Sequence, residues 1–288
     1  MIKLNSNHLK LIAIIAMTID HIADLVYPGM PNILGSNIMH VIGRLTAPIM
    51  FFFICEGFYH TKNLKKYIIR LFTFAIISHF AYCFAFGINY LPFSSGSIFN
   101  QTSIMWTLLW AVVALYILNG ENKFKNWQRY LLVILICIIT FSADWSSIGV
   151  MIILFMYDNR GNVEKQTLSM IPWVLIYSVV SFFFVNKVYA FIQLAVLLVY
   201  PLLKMYNGEK GKFKWMKWFF YGYYPLHLII IGILRIIIYG NIPLLFNYEN
   251  KKRLYYPRNQ HTRHSANINA LCQRNCRRWY KPTGRWRR

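Results

Sequence analysis

Residues 42–70 read IGRLTAPIMFFFICEGFYHTKNLKKYIIR. The apolar window that holds them, 37–60, is long enough to cross a bilayer, yet it carries Arg44 near one end, Glu56 towards the other and His60 at its exit. An ionisable side chain at membrane depth costs roughly 2.5–3.5 kcal/mol on insertion scales, which makes such residues candidates for a functional site. The plainer reading is that Arg44 and Glu56 pair with other helices and only hold a bundle together.

Outward from this stretch the whole chain is built in the same way. Its 288 residues are 57% hydrophobic, 18% aromatic and only 14% charged, where a soluble domain is about a quarter charged. The expected fold is all-α, a polytopic membrane helix bundle. Apolar windows fall at about 8–27, 37–60, 67–90, 103–119, 130–144, 146–157, 167–185, 188–203 and 218–239, which suggests about nine crossings, within a range of eight to ten. The piece 146–157 is about 18 Å long as a helix, short for a roughly 30 Å hydrocarbon core, so a half-crossing or re-entrant element is the alternative there.

Charge sets the orientation. With a cytoplasmic N-terminus, fifteen Lys and Arg fall in inside connections, among them Lys62, Lys65, Lys66, Arg129, Arg160 and Lys217, against Lys187 alone outside. The positive-inside rule therefore expects a multi-pass protein of the plasma or inner membrane with its N-terminus in the cytoplasm. No small-residue cleavage site follows the first apolar run, so that helix is expected to stay. The formal charge of +22 is not a nucleic-acid stripe: 12 of the 31 Lys and Arg lie after Asn250, and the rest sit mostly in short loops.

The chain divides into a membrane domain, 1–240, and a basic tail, 241–288, expected to be disordered or aberrant. Lys outnumbers Arg 14 to 5 up to Asn250, then Arg outnumbers Lys 9 to 3, as in a frame-shifted or fused end over 251–288. His261, His264, Cys272 and Cys276 look like a zinc set, but their spacing is loose and no metal site is expected. Cys55, Cys83 and Cys137 lie inside apolar runs and read as small buried hydrophobes.

Two constellations have the residue types that acid–base chemistry needs. On the first helix, Asp20 and His21 point about 100° apart, and Asp24 lies within a turn of both. An imidazole oriented by a carboxylate is the usual form of a general base. On the second, His40, Arg44 and Pro48 are spaced by four, as are Glu56 and His60, and Pro48 is expected to kink or unwind the helix. The topology puts Asp20, His21, Asp24 and Arg44 in the outer half. Glu56, His60, Lys62, Lys65, Lys66 and Arg70 form a basic inner mouth. Asp144 marks a polar break at the outer edge, and His227 sits beside Pro225 within an apolar window. His79 reads as a satisfied core histidine, and Arg235 as a side chain snorkelling to the outer interface.

These motifs resemble the TraX family: Met17-Thr-Ile-Asp20-His21, Ile42-Gly-Arg44 with Pro48, Glu56-Gly-Phe-Tyr-His60, Ala143-Asp144 with Gly149-Val150, and Tyr224-Pro-Leu-His227, in order over about 8–240. The chain departs from the family pattern at Asp144-Trp145-Ser-Ser, where an aromatic residue and Gly are more usual. The resemblance implies an integral membrane acyltransferase that moves an acetyl group from acetyl-CoA to an amine or hydroxyl of a pilin-like or cell-envelope acceptor. In that reading His21, oriented by Asp24 or by a neighbouring helix, is the base and Arg44 stabilises the oxyanion. Glu56 and His60 shape the donor entrance, where Lys62, Lys65, Lys66 and Arg70 attract the phosphates. Implied partners are the lipid bilayer, acyl-CoA and the acceptor, with no specific nucleic acid and no tightly bound cofactor. The alternatives are a proton-coupled transporter or channel, against which the lack of evident paired broken helices counts, and a noncatalytic assembly factor.

Overall fold

The structure is a computed structural model and describes residues 3–91, 100–184, 187–213 and 215–240. The basic tail, with His261, His264, Cys272 and Cys276, lies outside the described residues. The rest is helical, as expected: α1 (Ser6–Val26), α2 (Leu34–Gly43), α3 (Thr46–His60), α4 (Leu64–Phe86), α5 (Ile104–Asn119), α6 (Asn126–Thr140), α7 (Ser146–Asp158), α8 (Val163–Phe184), α9 (Lys187–Gln193), a 3-10 segment (Leu194–Val199), α10 (Tyr200–Lys204) and α11 (Met216–Tyr239).

Helix boundaries follow local chemistry. The Asn5 side chain accepts from the amides of Asn7 and His8 at 3.0 and 3.1 Å, capping α1. Asn63 does the same for α4 through the Lys66 amide at 2.9 Å. That helix then stops where Gly87 takes a left-handed φ of 63°.

Contacts between connections define two ends. At the N-terminal end the amides of Leu4 and Ser6 donate to the carbonyls of Met205 and Glu209, each at 2.8 Å. At the far end Gln101 N–H donates to Ser142 O at 2.7 Å, and the Tyr239 hydroxyl donates to Leu25 O at 2.7 Å. Between these ends the described chain passes nine times: α1, α2 with α3, α4, α5, α6, α7, α8, α9 through α10, and α11. Five of the spans, including Leu34–His60 and Met216–Tyr239, are long and apolar enough to cross a membrane by themselves.

Helix α5 is apolar around its whole circumference and lies at the centre, with Leu108, Ala111, Val112, Ala114 and Leu115 buried. Helix α6 is peripheral: only Ile136 and Thr140 are buried, while Trp127, Tyr130, Ile134 and Ile138 face outward. In a bilayer such a face meets lipid, so helices hold together by close packing rather than by hydrophobic exclusion. Gly149 shows the closeness, because a Cβ there would come within 2.8 Å of Thr107 Cγ2.

Two expectations stand in sharper form and two give way. Pro48 is the third residue of α3 and cannot donate to the Arg44 carbonyl four residues before it, and the helix is interrupted there as expected. The interruption falls at Arg44 and Leu45, between α2 and α3. Helix α7 is not re-entrant, since it starts at the far end and carries the chain down to Arg160 beside Glu56 at the N-terminal end. The apolar window 188–203 is not one helix but α9, the 3-10 segment and α10. Arg235 does not snorkel either; it is buried and donates to the Ala85 carbonyl at 2.8 Å.

The two ends give a direct labelling test. In a cysteine-free background, Lys65→Cys and Gly208→Cys should react with an impermeant maleimide from one side of the membrane, and Met30→Cys from the other. Labelling of all three from a single side would contradict the nine-pass arrangement.

Candidate functional site

Asp20 is the centre of the far-half cluster. One carboxylate oxygen, Oδ2, accepts from Arg44 Nη2 at 2.7 Å. The other, Oδ1, is 2.8 Å from His40 Nδ1, and because a carboxylate only accepts, the imidazole carries its proton on Nδ1. His40 and Arg44 are one turn apart, so the end of α2 presents both to the same carboxylate. Gly43 makes the approach possible: a Cβ there would collide with the Asp20 carboxyl group.

The guanidinium is held on a second side by α9. Arg44 Nη1 donates to the Tyr189 hydroxyl at 2.9 Å and lies 3.4 Å from Gln193 Oε1. Tyr189 and Gln193 are again one turn apart, and Gln193 is the last residue of α9 before the 3-10 segment. Two interrupted helices thus face each other across Arg44. Both Arg44 and Gln193 are buried, at 7% and 0% exposure. Breaking a buried ion pair by removing one partner costs about 3–5 kcal/mol, so this arrangement is a strong structural constraint whatever else it does.

His21 points away from Asp20, as the helix geometry requires, and lies 3.6 Å from Asp24 Oδ2 through Nδ1. Its ring packs against Phe86 on α4 and against His227 on α11, the latter with centroids 5.2 Å apart. His227 Nδ1 donates to the Tyr223 carbonyl at 3.0 Å, which leaves its buried Nε2 without a partner. Tyr223 stacks flat on that ring and hydrogen-bonds Thr18 Oγ1 of α1 at 2.7 Å. Asp144, between α6 and α7, is not simply solvated at an edge. Its carboxylate interacts electrostatically with Arg44, His21 and Asp20, and its amide donates to Thr102 O at 2.9 Å. The residue that follows, Trp145, holds a left-handed φ of 63° and is wedged against Phe51 and Tyr177.

The structure therefore brings together Asp20, His21, Asp24, Arg44, Asp144 and His227 from four separate parts of the chain. Access is narrow but present: the side chains of Asp20, His21 and Asp24 keep 16%, 14% and 19% of their surface. His40, marked in the sequence by its spacing of four from Arg44, joins the cluster, and Tyr189 and Gln193 are members that nothing marks within an apolar window.

At the N-terminal end the picture differs from the expected mouth. Glu56 is paired to Arg160, with Nε 2.8 Å from Oε1 and Nη2 donating to Oε2 at 3.0 Å. His60 Nε2 lies 3.3 Å from the same Oε2, and the guanidinium sits 3.4 Å over the Tyr59 ring. Arg160 entered the sequence reading only as a loop charge. Lys62, Lys65 and Lys66 are exposed nearby, but Arg70 is drawn among the rings of Tyr67, Trp218 and Tyr221, 5.2, 5.8 and 5.3 Å away. His79 is a satisfied core histidine, bonded to Thr102 Oγ1 and Tyr90 O. Among the described residues no group of His, Cys, Asp and Glu is placed to hold a metal ion.

Fold and cluster together define a multi-pass membrane protein with a polar, ionised site inside its helix bundle. The chain belongs to the TraX family, whose model, described as TraX protein, matches residues 5–235. A relative from Dichelobacter nodosus, named probable fimbrial assembly protein FimC, serogroup H1, is 30% identical over 235 residues, covering 77% of this chain and 92% of its own. No solved structure matches the chain.

The collision at Gly43 yields a stability prediction. Gly43→Ala should lower the melting temperature in detergent, by an amount equivalent to about 1–3 kcal/mol, because it pushes the Asp20 carboxyl off its partners. Gly222→Ala, where a Cβ meets nothing within 4 Å, should leave it unchanged or raise it. Equal effects at both positions would contradict the geometry.

Proposed function

We propose that this protein is an acetyltransferase of the bacterial envelope, moving an acetyl group from acetyl-CoA to an amine or hydroxyl of a pilin-like or other envelope acceptor. The observation that carries the reading is the far-half cluster. It sets a partly accessible imidazole, His21, beside a carboxylate and within the same electrostatic neighbourhood as a buried guanidinium, Arg44. Attack on a thioester needs both: a base to take the proton of the nucleophile and a fixed positive donor for the oxygen that becomes anionic. The name of the fimbrial relative supports an acceptor connected with pili.

In the proposed step the lone pair of the acceptor attacks the acetyl carbonyl carbon and the C=O electron pair moves onto oxygen beside Arg44. His21 takes the acceptor proton. Collapse of the adduct expels the CoA thiolate, which His21 reprotonates, leaving an acetylated acceptor and free CoA. Asp24 orients His21, and Asp20 with His40 holds Arg44. The N-terminal end, rich in Lys62, Lys65 and Lys66, is oriented to the cytoplasm and receives the nucleotide part of the donor. From His60 back to Arg44, α3 and its leading turn rise about 24 Å at 1.5 Å per residue. That leaves the slender acyl-bearing arm to enter the bundle while the phosphates stay among the lysines.

A second reading, proton-coupled transport through Asp20, His21, Arg44, Glu56 and His227, gains weight from the two interrupted helices that meet at Arg44, a feature of many transporters. One pair of assays separates them. Purified protein given labelled acetyl-CoA and an envelope fraction should transfer label, and His21→Ala should abolish transfer while expression and membrane insertion stay intact. Full turnover by that variant would remove His21 from the mechanism. Uptake by proteoliposomes without acetyl transfer would favour transport.

A further inference from the structure

We propose that a phosphate ester binds at the N-terminal end of the bundle, between α1, α4 and α11, where Lys10, Arg70 and Lys217 gather without an acid. The ester is the headgroup of an anionic lipid or the nucleotide part of a soluble donor, and the site stands independently of the acyl-transfer reading.

Helix α11 packs against both α1 and α4. Each of the three carries one of these cations within its first two turns: Lys10 in α1, Arg70 in α4 and Lys217 in α11. Lys10 lies within electrostatic range of Lys217 and Lys210, and Lys217 within range of Arg70. Lys210 comes from the connection that leads to α11, which is fastened to the start of α1 by the Ser6 amide on the Glu209 carbonyl. Among the described residues none of the four cations forms an ion pair. The Glu209 carboxylate, next to Lys210 in sequence, accepts from Asn207 Nδ2 at 3.0 Å instead.

Loop charge that only sets topology looks different. Lys62, Lys65, Lys66 and Lys123 are exposed, and water and salt screen them. Lys10 and Arg70 are half-buried on aromatic rings. Lys10 Nζ is 5.0 Å from the centroid of Phe53. Arg70 lies among Tyr67, Trp218 and Tyr221 and hydrogen-bonds Tyr221, and its buried Nε has no partner. Ring faces attract a cation but do not neutralise it, and like charges held close together repel. An anion among them removes the repulsion. A phosphate suits the place because it brings negative charge and several acceptor oxygens on one centre, which Arg and Lys bind through charge-assisted hydrogen bonds. The level suits both sources, since the helix starts lie at the membrane surface, where anionic headgroups attract basic side chains and a soluble phosphate arrives.

The test uses purified full-length protein in a non-ionic detergent, titrated calorimetrically with coenzyme A and, separately, with short-chain phosphatidylglycerol. Saturable binding of at least one probe is expected. Lys10→Met and Arg70→Met should each raise Kd about tenfold or more. Lys217→Gln, at an exposed position that the fold does not need, should raise it in the same direction. Lys123→Met, an exposed cation at the same end, should stay within about twofold of wild type. Coenzyme A binding assigns the ester to a soluble donor, phosphatidylglycerol binding assigns it to the membrane, and binding of both marks a shared site. No saturable binding of either probe, an equal loss in Lys123→Met, or an unchanged Kd in Lys10→Met and Lys217→Gln would overturn the site. Acyl transfer, which is tested by label transfer, would then still stand.

Discussion

The far half of the bundle depends on one carboxylate shared between a guanidinium and an imidazole. Asp20 gives one oxygen to Arg44 and the other to His40. Each member is costly to bury alone and tolerable only with the others. Satisfying the carboxylate requires that the end of α2 come close to α1, which in turn requires glycine at 43. The interruption at Arg44 and Leu45, where Pro48 removes a donor, lets the Arg44 side chain lie between α1 and α9.

Around that fixed centre the more adaptable groups are arranged. His21 and His227 lie ring against ring, bridged by tyrosine packing to Thr18, and only His21 has a carboxylate at its side. Asp144 joins from a loop whose backbone is held in a left-handed conformation at Trp145 and Ser146. A side chain as large as tryptophan adopts that region only when its surroundings compensate, and the packing of Trp145 against Phe51 and Tyr177 supplies this. The opposite end has its own ionic centre in Glu56, Arg160 and His60. The polar features of α3 and its leading turn therefore belong to two sites, one at each end of an apolar middle.

Much of this was legible in the sequence, because a membrane helix makes every ionisable residue conspicuous. The bundle, the number of passes and the grouping of Asp20, His21, Asp24 and Arg44 follow from apolar windows and loop charges. Pro48 marked the break to within one turn, because its missing donor falls on the Arg44 carbonyl. The misreadings share a cause. Arg235, an isolated cation near a helix end, reads as snorkelling when only the folded chain shows it on the Ala85 carbonyl. Gln193 and Tyr189 are uncharged and sit in an apolar window, where composition gives no sign of what they face. Arg160 was hidden among the loop cations that set topology, and only the folded chain shows it paired with Glu56. Position in sequence reports depth in the membrane well and facing poorly, since facing is decided by neighbours far along the chain.

The central claim is that Asp20 and Arg44 act as one buried unit, and a double-mutant cycle on thermal unfolding in detergent tests it most directly. Asp20→Asn and Arg44→Leu should each destabilise the protein by about 3–5 kcal/mol by leaving the partner charge unpaired. The double variant should lose much less than the sum of the two. Strictly additive losses would mean that the two side chains do not meet inside the bundle, and the site described around them would fall.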